Sequence, residues 1–474
     1  LLCAGAAWEA NGADWIEHIH YAWETYRGHD DEARLLVAGS FGATLEPGQS
    51  LTLVFSAEAA PDLDGAGALV REALRQKALL DAADGDHELP PFIRQLVLAA
   101  DQFLVRREVR LPDGTRWPGW SVIAGYPWFG DWGRDTMIAL PGLLVATGRA
   151  ALAGEVLRTW SHFVSQGMLP NRFPDANDEP EYNTVDATLW FFQAIRAVYQ
   201  ATGDQALVAD LYPVLADIVA WHRRGTRYAI QVAADGLLAA GEPDVQLTWM
   251  DVKYEDWVVT PRQGKAVEIN ALWYSALRTL AEFAADLGRP ADADALVAEA
   301  ERVRAAFGRF WNERAGYLYD VLDTPEGDDA TLRPNQLFAA SVAHSPLSDE
   351  QARAVVAACA GQLYTSYGMR SLAPDDPQYV GVYGGDLKSR DSAYHQGTAW
   401  GWLIGPFAGA VARVHGPERA REYLRPFADH LRDAGIGSIS EIFNADAPFA
   451  PQGCPWQAWS VAEVLRCWRA LDPA

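Results

Sequence analysis

From Pro91 onward, apolar residues recur at intervals of three and four, the repeat of a helix buried along one face. Leu272, Tyr274, Ala276, Leu277 and Leu280 show it clearly. The pattern predicts twelve helices, over about 91–107, 134–148, 151–166, 184–202, 204–225, 266–288, 290–312, 333–343, 348–360, 393–414, 416–434 and 456–471. Gly148 and Gly203 read as stops, and Asp204, Ser348 and Ser392 as N-caps. No strand run alternates with these segments, which argues against a parallel α/β sheet. Twelve helices taken as six hairpins fit an all-α architecture, an (α/α)6 toroid with inner helices ringed by outer ones. A solenoid would show a fixed sequence period, and none is visible.

The beginning of the chain reads differently. Segments 35–38 and 49–56 are strand-like and are separated by Gly39, Gly42, Pro47 and Gly48. They resemble the tail of a β-rich domain. A polar helix follows, from about Ala66 to Asp84, and Leu89-Pro90-Pro91 marks a boundary. The expected parts are therefore 1–60, the remnant of a β-rich domain; 61–90, a helical linker; and 91–474, the helical domain.

Composition narrows the partners. A net charge of -24 repels phosphate backbones and anionic lipid, which argues against nucleic-acid and membrane-surface roles but tolerates a neutral polyol. No stretch of about 18 apolar residues predicts a membrane span. Cys3, Cys359, Cys454 and Cys467 are far apart, with no zinc-ligand spacing. A reducing compartment, the cytoplasm, is the expected location. The opening Leu1-Leu2-Cys3-Ala4-Gly5 is neither a Met start nor a signal peptide with a basic segment.

The chemistry is expected in the long loops, because a structureless loop beyond about 12–15 residues in a compact domain is usually functional. They span roughly 114–134, 167–183, 246–265, 364–391 and 435–455. Many of the 19 tryptophans sit in or beside them, including Trp117, Trp120, Trp128, Trp132, Trp190, Trp249, Trp257, Trp400 and Trp456. Indoles stack on the flat C–H faces of sugar rings, although any single Trp can equally be core. Asp251 follows the apolar and aromatic run Leu247-Thr248-Trp249-Met250, surroundings that raise a carboxyl pKa. Glu441 lies between Ser440 and Ile442, with no neutralising neighbour in sequence. An inverting glycosidase needs one carboxylic acid and one carboxylate about 6.5–9.5 Å apart. By composition alone Asp131, Asp135, Asp186, Asp386 and Asp391 are equally suggestive.

Two further segments stand out. Trp128 to Thr136 is an aromatic, glycine-punctuated loop that presents Arg134 and Asp135 at a helix start. They can grip two sugar hydroxyls, or Asp135 can simply cap the helix. Ser389 to Trp400 holds His395, Gln396 and Trp400 as candidates for a pocket floor, although a lone helical His is more often structural. There is no GxSxG, P-loop or HExxH pattern. Asp175, Asp178, Glu179 and Glu181 cluster without EF-hand spacing. No metal and no cofactor is expected.

Seven motifs then occur in a recognisable order: PWFGDWGRDTMIALPGLL (127–144), GMLPNRFPD (167–175), YNTVDATLWF (182–191), TWMD (248–251), VEINALWY (267–274), SISEIF (438–443) and GCPWQAWSVAE (453–463). The chain resembles, from about residue 91 on, the amylo-α-1,6-glucosidase family, the glucosidase region of glycogen debranching enzymes. The short N-terminal piece looks like the end of the β-rich domain that precedes this region in the bacterial and archaeal type. The resemblance implies an (α/α)6 barrel that removes single α-1,6-linked glucose stubs from a branched α-glucan, glycogen or limit dextrin, with inversion. It puts the general acid on Asp251 and the general base on Glu441. It also implies sugar contacts from Trp132, Arg134 and Asp135, with Asp186, Trp249, His395 and Trp456 as further substrate-binding residues. Two alternatives stay open: a sister toroid glycosidase of trehalase, glucoamylase or α-glucosidase type, and a non-catalytic glycan-binding module.

Overall fold

The structure is a computed structural model that describes residues 2–3, 6–10, 14–85, 88–110, 114–173 and 179–471. The chain divides into two compact units, one of residues 1–81 with 384–389 and one of residues 82–383 with 390–474.

The first unit carries small antiparallel pairings. Asp14–His20 pairs with Glu32–Val37, Trp15 lying opposite Leu36. Ala7–Glu9 pairs with Ser40–Gly42, and Leu2–Cys3 with Leu53–Val54. The strand-like signal at 35–38 thus falls on the end of Glu32–Val37, and the one at 49–56 shrinks to Leu53–Val54. The polar helix runs over Gly65–Asp84.

In the second unit the twelve expected helices are present, most of them shorter than their periodicity suggests. They are α1 Pro91–Gln102, α2 Gly133–Leu140, α3 Ala150–Ser161, α4 Asp186–Thr202, α5 Gln205–Arg224 and α6 Val267–Asp286. They continue as α7 Pro290–Phe307, α8 Gln336–Ser341, α9 Asp349–Gln362, α10 Ile404–His415, α11 Pro417–Glu422 and α12 Ala458–Ala470. The even-numbered helices pack on one another in sequence: α2 on α4, α4 on α6, α6 on α8, α8 on α10, α10 on α12, and α12 back on α2. The odd-numbered ones lie against this circuit, α1 on α12, α3 on α4, α5 and α7 on α6, α9 on α8 and α11 on α10. Burial follows the division. Every residue of α2 is buried, whereas α9 buries only Ala352, Val355, Val356 and Cys359. A helix enclosed on all sides must be apolar or internally paired all round, which is why the buried Glu268 and Asn270 of α6 are held by Arg262 and by the Leu238 backbone.

Local chemistry sets the ends. The Asp204 carboxylate accepts the Leu207 N–H at 3.0 Å. Ser348 and Gln351 form a reciprocal capping box. Ser392, in contrast, is no cap. It lies inside the helix Leu387–Tyr394, while Asp386 accepts the Ser389 N–H. The helix expected over 393–414 is broken because Gly397 takes φ +151° close against the Val380 carbonyl. A β-carbon there would meet that oxygen at 2.3 Å. The chain restarts as α10 only at Ile404.

All-α is too narrow a description, because short strands tie the connections together. Leu104–Arg110 and Arg116–Tyr126 form a hairpin where a helix end and a loop were expected. Arg116–Tyr126 also pairs with Phe129–Trp132 and with Trp456–Gln457, and Phe129–Trp132 pairs in turn with Arg172–Phe173. A second sheet orders Tyr364–Thr365, Gly368–Arg370, Ala399–Trp400, Ile442–Phe443 and Pro451–Gln452. The fold is helix-rich and mixed. Among the described residues no helix is long and apolar enough to cross a membrane.

Candidate active site

These two small sheets and the N-terminal ends of α2 and α12 meet at a cleft. It is lined by Phe129, Trp132, Arg134, Asp135, Trp249, Asp251, Tyr394, Trp400, Glu441, Gln457 and Trp459. The lining joins aromatic walls to a few converging polar groups, the pattern of a small-ligand site.

Arg134 organises one side. Entering α2 from the strand Phe129–Trp132, its side chain is 3% exposed. Its Nε donates to Asp186 Oδ1 and Oδ2 at 2.8 and 2.9 Å. Nη1 donates to Asp251 Oδ2 at 2.7 Å, and Nη2 to the Thr248 carbonyl at 3.1 Å and Thr184 Oγ1 at 3.2 Å. The planar guanidinium therefore fixes both the Asp251 carboxylate and the backbone of the loop that carries it. Burial raises the Asp251 carboxyl above its ordinary value, and Arg134 pulls it back only in part.

Glu441 is held from the other side. Its N–H donates to the Cys454 carbonyl, and its own carbonyl accepts the Gly401 N–H. The carboxylate accepts the Cys454 N–H at 2.9 Å on Oε2 and the Tyr394 hydroxyl on Oε1. Gly453 sits so close that a β-carbon would meet Oε2 at 2.5 Å, and its φ is +66°. Burial pushes Glu441 up to about 7, with Asp251 adding repulsion and the two hydrogen bonds opposing it. Asp135, in the same cleft, accepts from Gln457 Nε2 at 3.3 Å. Burial carries it to about 8 against the pull of Arg134, with Glu441 and Asp251 pushing the same way as burial. Three carboxyls thus feel one another in one enclosure, and they titrate as a coupled set.

The remaining wall is aromatic. Trp249 meets Trp400 edge-on at 5.2 Å and Trp402 at 5.5 Å, and Trp402 stacks on Trp459 at 4.9 Å. Trp249 Nε1 donates to Asn335 Oδ1 at 2.7 Å, which keeps its polar edge satisfied away from the cleft.

Of the residues singled out by sequence, Asp251, Glu441, Trp132, Arg134, Asp135, Trp249 and Trp400 come together on this cleft. Of the expected sugar contacts, three do not line it. Asp186 stands behind Arg134 as its ion-pair partner. His395 stacks on Trp400 at 5.1 Å, is fully buried, and has neither ring nitrogen hydrogen-bonded among the described residues. Burial first, then Arg333 and Arg134, hold its pKa well down, so the ring is neutral. Trp456 lies opposite Tyr126 in a strand pair. The expectation of direct sugar contact by these three turns on depth, a quantity that sequence spacing does not report. Conversely, Phe129, Tyr394, Gln457 and Trp459 line the cleft without standing out in the sequence. Phe129, Gln457 and Trp459 fall inside the quoted motifs and Tyr394 precedes His395, so the signal is present. Asp131 is tied to Arg107 at 2.8 Å. Asp175 and Asp178 lie outside the described residues. Among the described residues, no three His, Cys, Asp or Glu side chains converge as ligands for a metal ion would.

The match to known sequences spans this region of the chain. The family model for amylo-α-1,6-glucosidase spans residues 98–466. The chain belongs to the amylo-α-1,6-glucosidase family. The family is one of glycoside hydrolases. The glycogen debranching enzyme of Saccharomyces cerevisiae is 24% identical over 488 residues, covering 79% of this chain and 32% of that protein. The chain thus spans about a third of that relative's length, 32%. The GH63 mannosylglycerate hydrolase of Thermus thermophilus, solved with Tris, gives a TM-score of 0.59 at 14% identity, covering 80% of this chain and 99% of that one. Its glucose complex gives 0.58 at 15%, covering 79% and 99%. An uncharacterized conserved protein from the same organism also gives 0.59 at 14%, with 80% and 99% covered. At such identities the likeness is one of fold.

Proposed function

We propose that this chain removes single α-1,6-linked glucose stubs from a glycogen-type branched glucan, by an inverting mechanism on an (α/α)6 toroid. The closed circuit of even-numbered helices, with the odd-numbered ones outside it, supports the toroid. The single observation that carries the function is the cleft itself: Asp251 and Glu441, held on separate segments, share one aromatic-walled enclosure with Arg134 and Asp135.

In this proposal the Asp251 carboxyl protonates the glycosidic oxygen as the bond to the anomeric carbon breaks. Glu441 takes a proton from the water that attacks the opposite face, and β-glucose leaves. Burial favours the protonated form that Asp251 needs as acid. The Cys454 N–H and the Tyr394 hydroxyl favour the ionised form that Glu441 needs as base. Asp135 and Arg134 hold ring hydroxyls, and Trp132, Trp249 and Trp400 give the sugar its apolar walls. Asp186 and His395 act as positioning residues, the first through Arg134 and the second through Trp400.

The test is glucose release from a cyclodextrin bearing one α-1,6-glucosyl stub, with the product anomer followed by NMR from the earliest times. β-Glucose is the expected first product. α-Glucose as first product would overturn inversion. No release, with turnover of trehalose or maltose, would move the enzyme to a sister specificity, and no release from any sugar would favour glycan binding without turnover.

A pH dependence follows. Glu441, at about 7, must be ionised to act, so kcat/KM is expected to fall as pH drops through that region. Tyr394→Phe removes a hydrogen bond that favours the carboxylate, so the acid limb should move to higher pH. Profiles for both proteins on the same substrate decide it; an unmoved limb would disconnect Tyr394 from the base.

A further inference from the structure

A second concavity lies beside the cleft and shares no lining residue with it. It is an open groove. One wall is the hairpin Lys253–Tyr254 and Trp257–Val258, in which Tyr254 lies opposite Trp257. The base of this hairpin is the Val259 N–H donating to the Val252 carbonyl at 3.2 Å. Asp251 is the residue immediately before that base. Trp257 is two residues from Val259, roughly 7 Å along the strand at its usual rise. The floor is Gln396, whose amide donates to the Val259 carbonyl at 3.2 Å and to Gln378 Oε1 at 3.1 Å. Gln396 follows His395, which stacks on Trp400 of the cleft wall. Neighbouring residues of the same two segments thus reach the groove and the cleft.

The lining has the chemistry of a sugar platform. Trp257 is 46% exposed, an indole left facing solvent among polar neighbours. Asp256, Asp328, Asp376 and Gln378 surround the groove with acceptors. The two arginines in the lining are committed elsewhere: Arg262 to Glu268 and Asp320, and Arg333 to the Ser371 and His395 carbonyls and Gln396. The acids do not converge as cation ligands would. Thr260, 4% exposed, also lines the groove, and its hydroxyl has no hydrogen-bond partner among the described residues. Such a surface repels anions and suits a neutral chain with flat C–H faces and many hydroxyls.

We propose that this groove holds the α-1,4-linked run of the glucan that carries the stub, with Trp257 stacking on one of its glucose rings. The proposal rests on the debranching function above and assigns the polymer its place. It makes Trp257 a residue of polymer affinity, separate from bond cleavage.

Two measurements test it on the full chain. The first is calorimetric binding of maltoheptaose to wild type, Trp257→Ala and Trp257→Tyr. A loss of about tenfold in affinity is expected for Trp257→Ala, with most of it restored by Trp257→Tyr, the size a lost stacking contact gives. The second compares a branched dextrin with isomaltose. KM for the dextrin should rise about tenfold in Trp257→Ala with kcat nearly unchanged, while kcat/KM for isomaltose stays as in wild type. Unfolding midpoints of the variants identify any general loss of structure. Equal maltoheptaose affinity in wild type and Trp257→Ala, or no binding to wild type, overturns the groove. Loss of maltoheptaose binding in a protein that cleaves no α-1,6 bond would overturn the debranching function and keep the groove.

Discussion

Asp251→Asn is expected to lower kcat on a stub-bearing dextrin by about 10²–10⁴-fold, the usual contribution of positioned acid catalysis. The amide keeps the size of the side chain and cannot deliver the proton. Its oxygen can still accept from Arg134 Nη1, which now reaches Asp251 Oδ2 at 2.7 Å. The loop should therefore stay in place, and affinity for a glucose-like inhibitor should change little. Steady-state kinetics and inhibitor titration on the same preparation separate the two quantities. A substrate with an activated leaving group needs less protonation and should recover much of the lost rate. Near-normal turnover of the natural linkage in this variant would falsify the assignment of Asp251 as acid.

The second large effect is on stability. Arg134→Met is expected to cost about 3–5 kcal/mol, because removing one partner of a buried ion pair leaves the other uncompensated. Here two carboxylates, Asp186 and Asp251, lose their counter-charge at once. Arg134 is also among the influences that lower the Asp251 pKa, so its removal raises that value further in the folded state. A folded-state carboxyl raised above its unfolded value binds more protons than the unfolded chain, and stability then falls as pH rises. The deficit of Arg134→Met should accordingly be larger in mildly alkaline than in mildly acidic buffer. Urea unfolding at both pH values measures it, and a midpoint equal to wild type at both would remove Arg134 from the structural core of the site.

How much of this was legible in the sequence depends on which physical signal each element leaves. The enclosed helices announce themselves, since α6 buries most of its surface and pairs polar residues it carries there, as Asn270 does with the Leu238 carbonyl. The hairpin Leu104–Arg110 and Arg116–Tyr126 leaves a poor trace. Pro118 and Gly119 interrupt one strand, and charged residues dominate the other, LVRREVR. Gly397 breaks a predicted helix through a tertiary approach, to the Val380 carbonyl, that no local window contains. At the site, environment in sequence nominates Asp251 and Glu441 together with five other aspartates, and the choice among them comes from the ordered motifs. Depth is the missing coordinate. Asp186 and His395 sit beside cleft-lining residues and yet one layer back, whereas Tyr394, next to His395, reaches Glu441.

The circuit of helices has a consequence for how this site comes into being. Gln457 and Asp135 touch across 322 residues of chain, and α12 is the helix that returns to α2. During synthesis the segments bearing Asp135, Asp251 and Tyr394 emerge well before the one that completes the cleft. Until α12 arrives, α2 keeps an apolar flank without its partner, a surface of the kind that makes incomplete chains prone to aggregate. Loop closure over such a distance also slows folding relative to a bundle built from neighbours. A ribosome stalled just before residue 456 therefore carries a chain with both proposed catalytic carboxylates already made and no cleft to put them in.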